Sequence, residues 1–232
     1  MATVHLVRHA QASFGADDYD CLSALGERQS RLLGEWMRQS GQKVTRVVTG
    51  PLRRHLQTAE ACLSALGSPP DLRRSALADL RELDHLDVLA RYRPEFASAA
   101  ALRAQLAGAA DPHREFQTVF VAALQRWMTD TSSDYAESWS AFKQRCIDAL
   151  AAIVSDSRDD ESIWVFTSGG PIATIVQHVL GIADERMLDL TGTLVNSGLT
   201  RLQHRAGRIR LSTYNAHAHL ELHADGELIT YR

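Results

Sequence analysis

Three short apolar runs, each ending abruptly in a polar or glycine-containing turn and each followed by a helical pattern, constrain this chain more than any other feature. Residues 4–8 stop at Arg8-His9, residues 45–49 run into Gly50-Pro51, and residues 162–167 run into Ser168-Gly169-Gly170 ahead of Pro171. Continuous runs of this length, rich in β-branched side chains, read as strands buried on both faces. An amphipathic helix is expected over residues 23–39, with apolar positions at Leu25, Leu32, Leu33, Trp36 and Met37. A second helix should start at Pro51 and run to about residue 66, closed by Gly67 and then Pro69-Pro70. Further helices are expected at 137–154 and 171–180, and a strand pair at 200–203 and 208–214 turns near Gly207. Residues 72–80 fit neither period clearly. Residues 83–128 are Ala-rich and helical, interrupted by Pro94, Gly108 and Pro112. Strands alternating with long helices predict an α/β fold: a three-layer α/β/α sandwich with a mostly parallel central sheet. The expected organisation is a single domain over residues 1–232 with a helical lid at about 83–135.

Composition removes several classes. With 232 residues, 45% of them hydrophobic, the chain can bury a core without disulfides or a structural metal. Twenty-five Lys+Arg against twenty-eight Asp+Glu, and 6% aromatics, argue against nucleic acid and anionic membranes as partners. Cys21, Cys62 and Cys146 are widely separated, so they imply free thiols and neither a disulfide framework nor a zinc knuckle. Nowhere do eighteen apolar residues follow one another, and a cytoplasmic protein is expected.

Ligands of parallel sheets collect at the carboxyl ends of strands. Three such ends here carry Arg8-His9-Ala10, the segment Gly50-Pro51-Leu52-Arg53-Arg54-His55-Leu56-Gln57-Thr58-Ala59, and Thr167-Ser168-Gly169-Gly170. Two guanidinium groups, an imidazole, a hydroxyl and helix-N-terminal amides are the components of a phosphate site. A helix turns so that only one of Arg53 and Arg54 can face the cleft, and the spacing to Gln57-Thr58-Ala59 selects Arg54; the direction of His55 stays open. Competing phosphate chemistries lack their motifs: no cysteine starts a C-x₅-R loop, no G-x-x-x-x-G-K-[ST] occurs, and Asp18-Tyr19-Asp20 sits in a polar loop with no strand before it.

Ordered motifs extend this pattern along the chain: Arg8-His9, Leu22-Ser23-x-x-Gly26-x-x-Gln29, Arg54-x-x-Gln57-Thr58-Ala59, Leu80-x-Glu82, Gly169-Gly170, Asn196-Ser197 and Asn215-x-x-x-His219-Leu220. In these the chain resembles the histidine phosphatase, or phosphoglycerate-mutase-like, superfamily. The resemblance implies that His9 is the nucleophile forming a phosphohistidine, that Arg8 and Arg54 bind the phosphoryl oxygens, and that Glu82 is the acid/base residue. It implies no metal and no cofactor. Two positions depart from the family pattern. Ala10 stands where the family has Gly, and Ser168 stands where a second histidine, which donates to the transferring phosphoryl group, is expected.

The expected activity is a metal-independent phosphomonoesterase acting on a small phosphorylated molecule, slowed by the loss of that donor, with Ser168 and Gly169 as phosphate-binding residues. The alternative is a phosphoryl-ligand-binding pseudophosphatase with little turnover; a phosphoglycerate mutase ranks third. A homodimer is allowed. Either Ser168, through its hydroxyl, or His85, three residues beyond Glu82 and close enough on a turn or helix to share its face, is expected to take the place of the missing imidazole opposite Arg8. His217, His219 and His223 lack a carboxylate or cysteine to complete a zinc set, so His219 is expected to make a structural hydrogen bond near the site.

Overall fold

A computed structural model describes residues 1–13, 20–68, 72–96, 98–108, 111–131, 135–223 and 225–231. Asp18, Tyr19, Pro69 and Pro70, on which the sequence reading touched, lie outside them. The chain forms two compact units, one of residues 1–82 and 146–232, the other of residues 83–145.

The first unit is built on a six-stranded sheet. Its strands are β1 (Ala2–Arg8), β2 (Arg46–Thr49), β3 (Arg73–Ala76), β4 (Ser162–Thr167), β5 (Leu199–Arg205) and β6 (Arg208–Ala216), in the spatial order β3-β2-β4-β1-β5-β6. The first four in that order are mutually parallel. β5 is antiparallel to β1 and β6 runs back along β5, so β5 alone opposes the others. The sheet is therefore mixed but mostly parallel, as expected.

β1 lies between β4 and β5, and Val4, Leu6 and Val7 have no solvent exposure. Val7 belongs to a cluster with Val47, Trp164 and Phe166 of the sheet and Leu33, Met37, Ala59, Cys62 and Leu63 of the helices α1 (Ala24–Gln39) and α2 (Arg53–Leu66). Alternation along a strand sends Leu6, Ile163 and Val165 to the other face, where they are equally buried. Both faces are covered, which is why these strands read as unbroken apolar runs. The polar exception in β1, His5, stacks flat on its register partner Trp164 with ring centroids 4.2 Å apart.

The Ser23 hydroxyl caps α1 by accepting from the Gly26 amide at 3.0 Å. Gly34 lets α1 approach α2: a Cβ there would stand 2.1 Å from the Cys62 carbonyl oxygen. Replacing it separates the two helices or bends one of them, so Gly34→Ala is expected to destabilise the protein by about 1–3 kcal/mol. Urea denaturation followed by tryptophan fluorescence measures this, and an unchanged midpoint would contradict it.

Sequence reasoning left residues 72–80 open because β3 shows none of the usual signal. Its residues Arg73, Arg74, Ser75 and Ala76 are all exposed, as befits a charged edge strand that discourages further pairing. A single 3-10 turn, Ala78–Leu80, follows and buries Leu80.

The second unit contains α3 (His85–Tyr92), α4 (Ala99–Leu106), α5 (Pro112–Thr129) and the start of α6 (Trp139–Ser155), with breaks at the proline and glycine positions the sequence marked. Asp84 caps α3 by accepting from the amides of Leu86 and Asp87, both at 3.1 Å. Trp127 packs edge-on against Trp139 and Phe142, and its indole N–H donates to the Glu137 carbonyl at 2.8 Å. Arg145 grips the Glu137 carboxylate through two nitrogens at 2.7 and 2.8 Å. The remaining helices, α7 (Gly169–Leu180), α8 (Met187–Thr191) and α9 (Ala218–Glu221), belong to the first unit. No helix among the described residues is long and apolar enough to cross a membrane.

Candidate active site

The register of β1 against β4 places Arg8 beside Thr167, so the residues after them, His9 and Ser168, leave the sheet together at its carboxyl edge. The His9 amide donates to the Thr167 carbonyl at 2.7 Å, and Thr49, the last residue of β2, lies beside Phe166. Three strand ends therefore deliver the three segments singled out from the sequence to one place.

His9 is 4% exposed and its backbone is fixed on several sides. Asn196 donates its side-chain amide to the His9 carbonyl at 3.0 Å, and Thr58 Oγ1 accepts from the Ala10 amide at 3.1 Å. The ring is fixed as well. Nδ1 lies 2.8 Å from the Ala10 carbonyl oxygen, which can only accept, so Nδ1 carries the proton. Arg54 Nε then donates to the bare Nε2 at 3.2 Å. Burial, reinforced by the Arg54 and Arg8 charges and by His55, holds the His9 imidazole well below its ordinary pKa. The result is a neutral imidazole, the state a nucleophile needs, whose unprotonated Nε2 accepts from the Arg54 guanidinium, a bond that attack on phosphorus replaces.

Arg54 is 6% exposed while Arg53 points to solvent, the choice that the motif spacing predicted. Asp20, which the sequence places only in a polar loop, meets both: its carboxylate pairs with Arg54 Nη1 at 2.8 Å and accepts from the Arg53 amide at 2.9 Å, so it also caps α2. An arriving phosphate must compete with this carboxylate for Arg54 or share the guanidinium with it. Arg8 donates through Nη1 to the Leu194 carbonyl and through Nη2 to the Tyr231 carbonyl at 3.1 Å, and its side chain passes Gly169, where a Cβ would come within 3.6 Å of Nε.

Glu82 reaches the start of α7, where its Oε2 accepts from the Gly170 amide at 3.1 Å. A carboxylate at a helix N-terminus is favourably placed. The Ser168 side chain forms no cap for its own helix. Its Oγ instead lies 2.7 Å from His55 Nε2, so the hydroxyl and the Gly170 amide, both expected to face an anion, already have partners within the protein. The His55 ring has no solvent exposure, and its centroid is 5.8 Å from that of His9.

The premise for His85 does not hold. Residues 81–84 are not helical and α3 begins at His85, so Glu82 and His85 share no helix face. Other motif residues prove structural. Gln29 Oε1 accepts from the Gln11 amide and Gln57 Oε1 from the Leu22 amide, both at 2.8 Å, which ties down both ends of the loop after His9. His219 Nε2 lies 2.8 Å from Ser197 Oγ, the structural bond expected of it, while the Ser197 amide donates to the Arg8 carbonyl at 3.1 Å.

Comparison with solved structures gives the same fold at low identity. A mycobacterial glucosyl-3-phosphoglycerate phosphatase is 21% identical, covering 94% of this chain and 98% of its own, with a TM-score of 0.64. A phosphoserine phosphatase from Entamoeba histolytica is 15% identical over 95% and 100%, with a TM-score of 0.63. An alpha-ribazole phosphatase from Shigella flexneri is 18% identical over 93% and 96%, with a TM-score of 0.63. No curated protein sequence matches significantly. The sequence profile of the histidine phosphatase superfamily (branch 1) matches residues 4–217, nearly the whole of the fold described above, and the chain belongs to that superfamily.

Proposed function

We propose that this protein is a metal-independent phosphomonoesterase that works through a phosphohistidine at His9 on a small phosphorylated molecule. The observation that carries this reading is the fixed tautomer of His9, which presents a bare Nε2 to the Arg54 guanidinium. Nε2 attacks phosphorus as the bond to the leaving oxygen breaks, and Glu82 gives that oxygen a proton. Water then attacks the phosphoryl group, the N–P bond breaks, and Glu82 takes a proton from the water. Arg8, Arg54, Ser168 and the amide of Gly169 are the proposed phosphate ligands. Arg54 already touches the nucleophile, so its charge lies where negative charge moves during transfer. Asp20 lowers the net attraction of the empty site for anions.

The same family hosts phosphatases for quite different substrates, so the proposal stops at the class of reaction. A second reading is favoured by one observation, that Ser168 offers only a hydroxyl, already bonded to His55, where the sequence resemblance implies a histidine. On that reading the site binds phosphate and turns over little.

Incubation with a generic aryl phosphate in excess chelator separates these. The phosphatase should release phosphate undiminished and, when quenched during turnover, carry a phosphoryl label that survives alkali and is lost in acid. Abolition of release by the chelator overturns the proposed mechanism. Phosphate or vanadate that raises the melting temperature by mass action without label or release favours the binding protein.

A further inference from the structure

His55 is buried beside the nucleophile, yet the reaction scheme gives it no task. It stands on the first turn of α2 next to Arg54, with Nε2 2.7 Å from Ser168 Oγ. The pocket for its ring exists because residue 50 is glycine: a Cβ there would stand 2.3 Å from His55 Nδ1. The Ser168 side chain for its part makes no cap to its own helix, whose Gly170 amide Glu82 takes, and meets this imidazole instead. A buried polar group of this size is costly to place and is kept only where its bonds are useful.

Resting on the phosphatase reading, we propose that His55 is a positioning residue that holds and polarises the Ser168 hydroxyl as a hydrogen-bond donor to the phosphoryl group on His9. The direction of the chain of bonds follows from the chemistry. A phosphoryl oxygen can only accept, so Ser168 must give it the hydroxyl proton. Ser168 Oγ is then the acceptor in its bond with His55, and His55 Nε2–H is the donor. The imidazole thus lends its donor strength through a hydroxyl too short to be strongly polarised alone. Arg54 and His9 are ionisable groups close by, and burial with the Arg54 charge, opposed by the Gly50 backbone, keeps the empty-site ring neutral, with its pKa pushed down to about 3. In the empty site the Gly50 backbone beside Nδ1 favours the Nδ1–H form, with Nε2 accepting from Ser168, so the neutral ring moves its proton to Nε2 when phosphate binds and donates from there without a second positive charge beside Arg54.

The test follows the rate of phosphoenzyme formation from an aryl phosphate in rapid-quench experiments. His55→Ala and Ser168→Ala should each slow it about tenfold or more, the lower end of what one preorganised donor is worth, and the double variant should be little worse than either alone. Gly50→Ala, which keeps the imidazole but displaces it, should show the same loss. The relocated variant His55→Ala/Ser168→His places an imidazole from the opposite side into the vacated space and should recover most of the rate. That recovery excludes misfolding as the cause, because a protein disrupted by losing His55 would not regain activity through a larger residue at 168. Unchanged labelling in His55→Ala, or losses in the two single variants that multiply in the double one, overturns the role of His55 while leaving the phosphohistidine in place. An unlabelled wild-type protein instead overturns the phosphatase reading itself.

Discussion

Acidification from pH 7 toward pH 4 is expected to unfold this protein steeply, well before its carboxylates are fully protonated. His5, His9, His55 and His219 are each at most 4% exposed, and all four are held below their ordinary pKa, chiefly by burial. For His5, His55 and His219 the value falls to about 3. Between that range and the unfolded value of about 6.5, the unfolded chain binds protons that the folded chain refuses. Stability therefore rises with pH across this window and falls as pH drops through it. Each such histidine contributes a slope of up to about 1.4 kcal/mol per pH unit below 6.5. His9 and His55 sense one another, so their contributions will not simply add. Even so, at about pH 4.5 three or four such slopes rival the 5–15 kcal/mol that typically separates folded from unfolded states. Tryptophan fluorescence and circular dichroism should show a cooperative loss of structure with a midpoint between about pH 4 and 6. His5→Phe keeps a ring on Trp164 without a titrating group and should move that midpoint to lower pH. A folded protein with flat stability from pH 7 to 4.5 would refute the account.

His9→Ala should lower phosphate release from an aryl phosphate by at least about 10⁴-fold, the order seen when a covalent nucleophile is removed. The label should vanish with it, because no other described imidazole at the site has a bare nitrogen facing a guanidinium. Binding should survive: Arg8 and Arg54 remain, so phosphate should still raise the melting temperature of the variant. The buried, neutral state of His9 adds a second signature. An ordinary histidine nucleophile would lose activity to protonation near pH 6.5, whereas here kcat/KM should show no acid limb from His9 while the protein stays folded. Release that persists in His9→Ala would mean that a different group attacks phosphorus.

Much of this was legible in the sequence. The strands β1, β2 and β4 were visible because both faces are buried, and Arg54 was separable from Arg53 because helical geometry exposes one neighbour and buries the other. β3 was hidden because an edge strand with four exposed residues has no hydrophobic period. His55 escaped for a different reason. Adjacent positions 54 and 55 are both buried at the end of a helix that points into the site, so the one-face rule that chose Arg54 could not decide about its neighbour. The available clue was Gly50, whose missing Cβ makes room for the ring. Spacing by three puts two residues on one face inside a helix, and Glu82 precedes α3, so that part of the expectation for His85 has no helix to act through.

The order of strands in the sheet also governs when this protein can acquire its site during synthesis. β1 emerges from the ribosome well before its partners β4 and β5, which begin at residues 162 and 199. Val4, Leu6 and Val7 must wait, without a partner strand, for most of the chain to be made. The proposed nucleophile at the end of β1 is thus translated well before the strands that set it in place, and nascent chains halted before residue 162 carry an apolar strand for which a chaperone, or another unfinished copy, is the available cover.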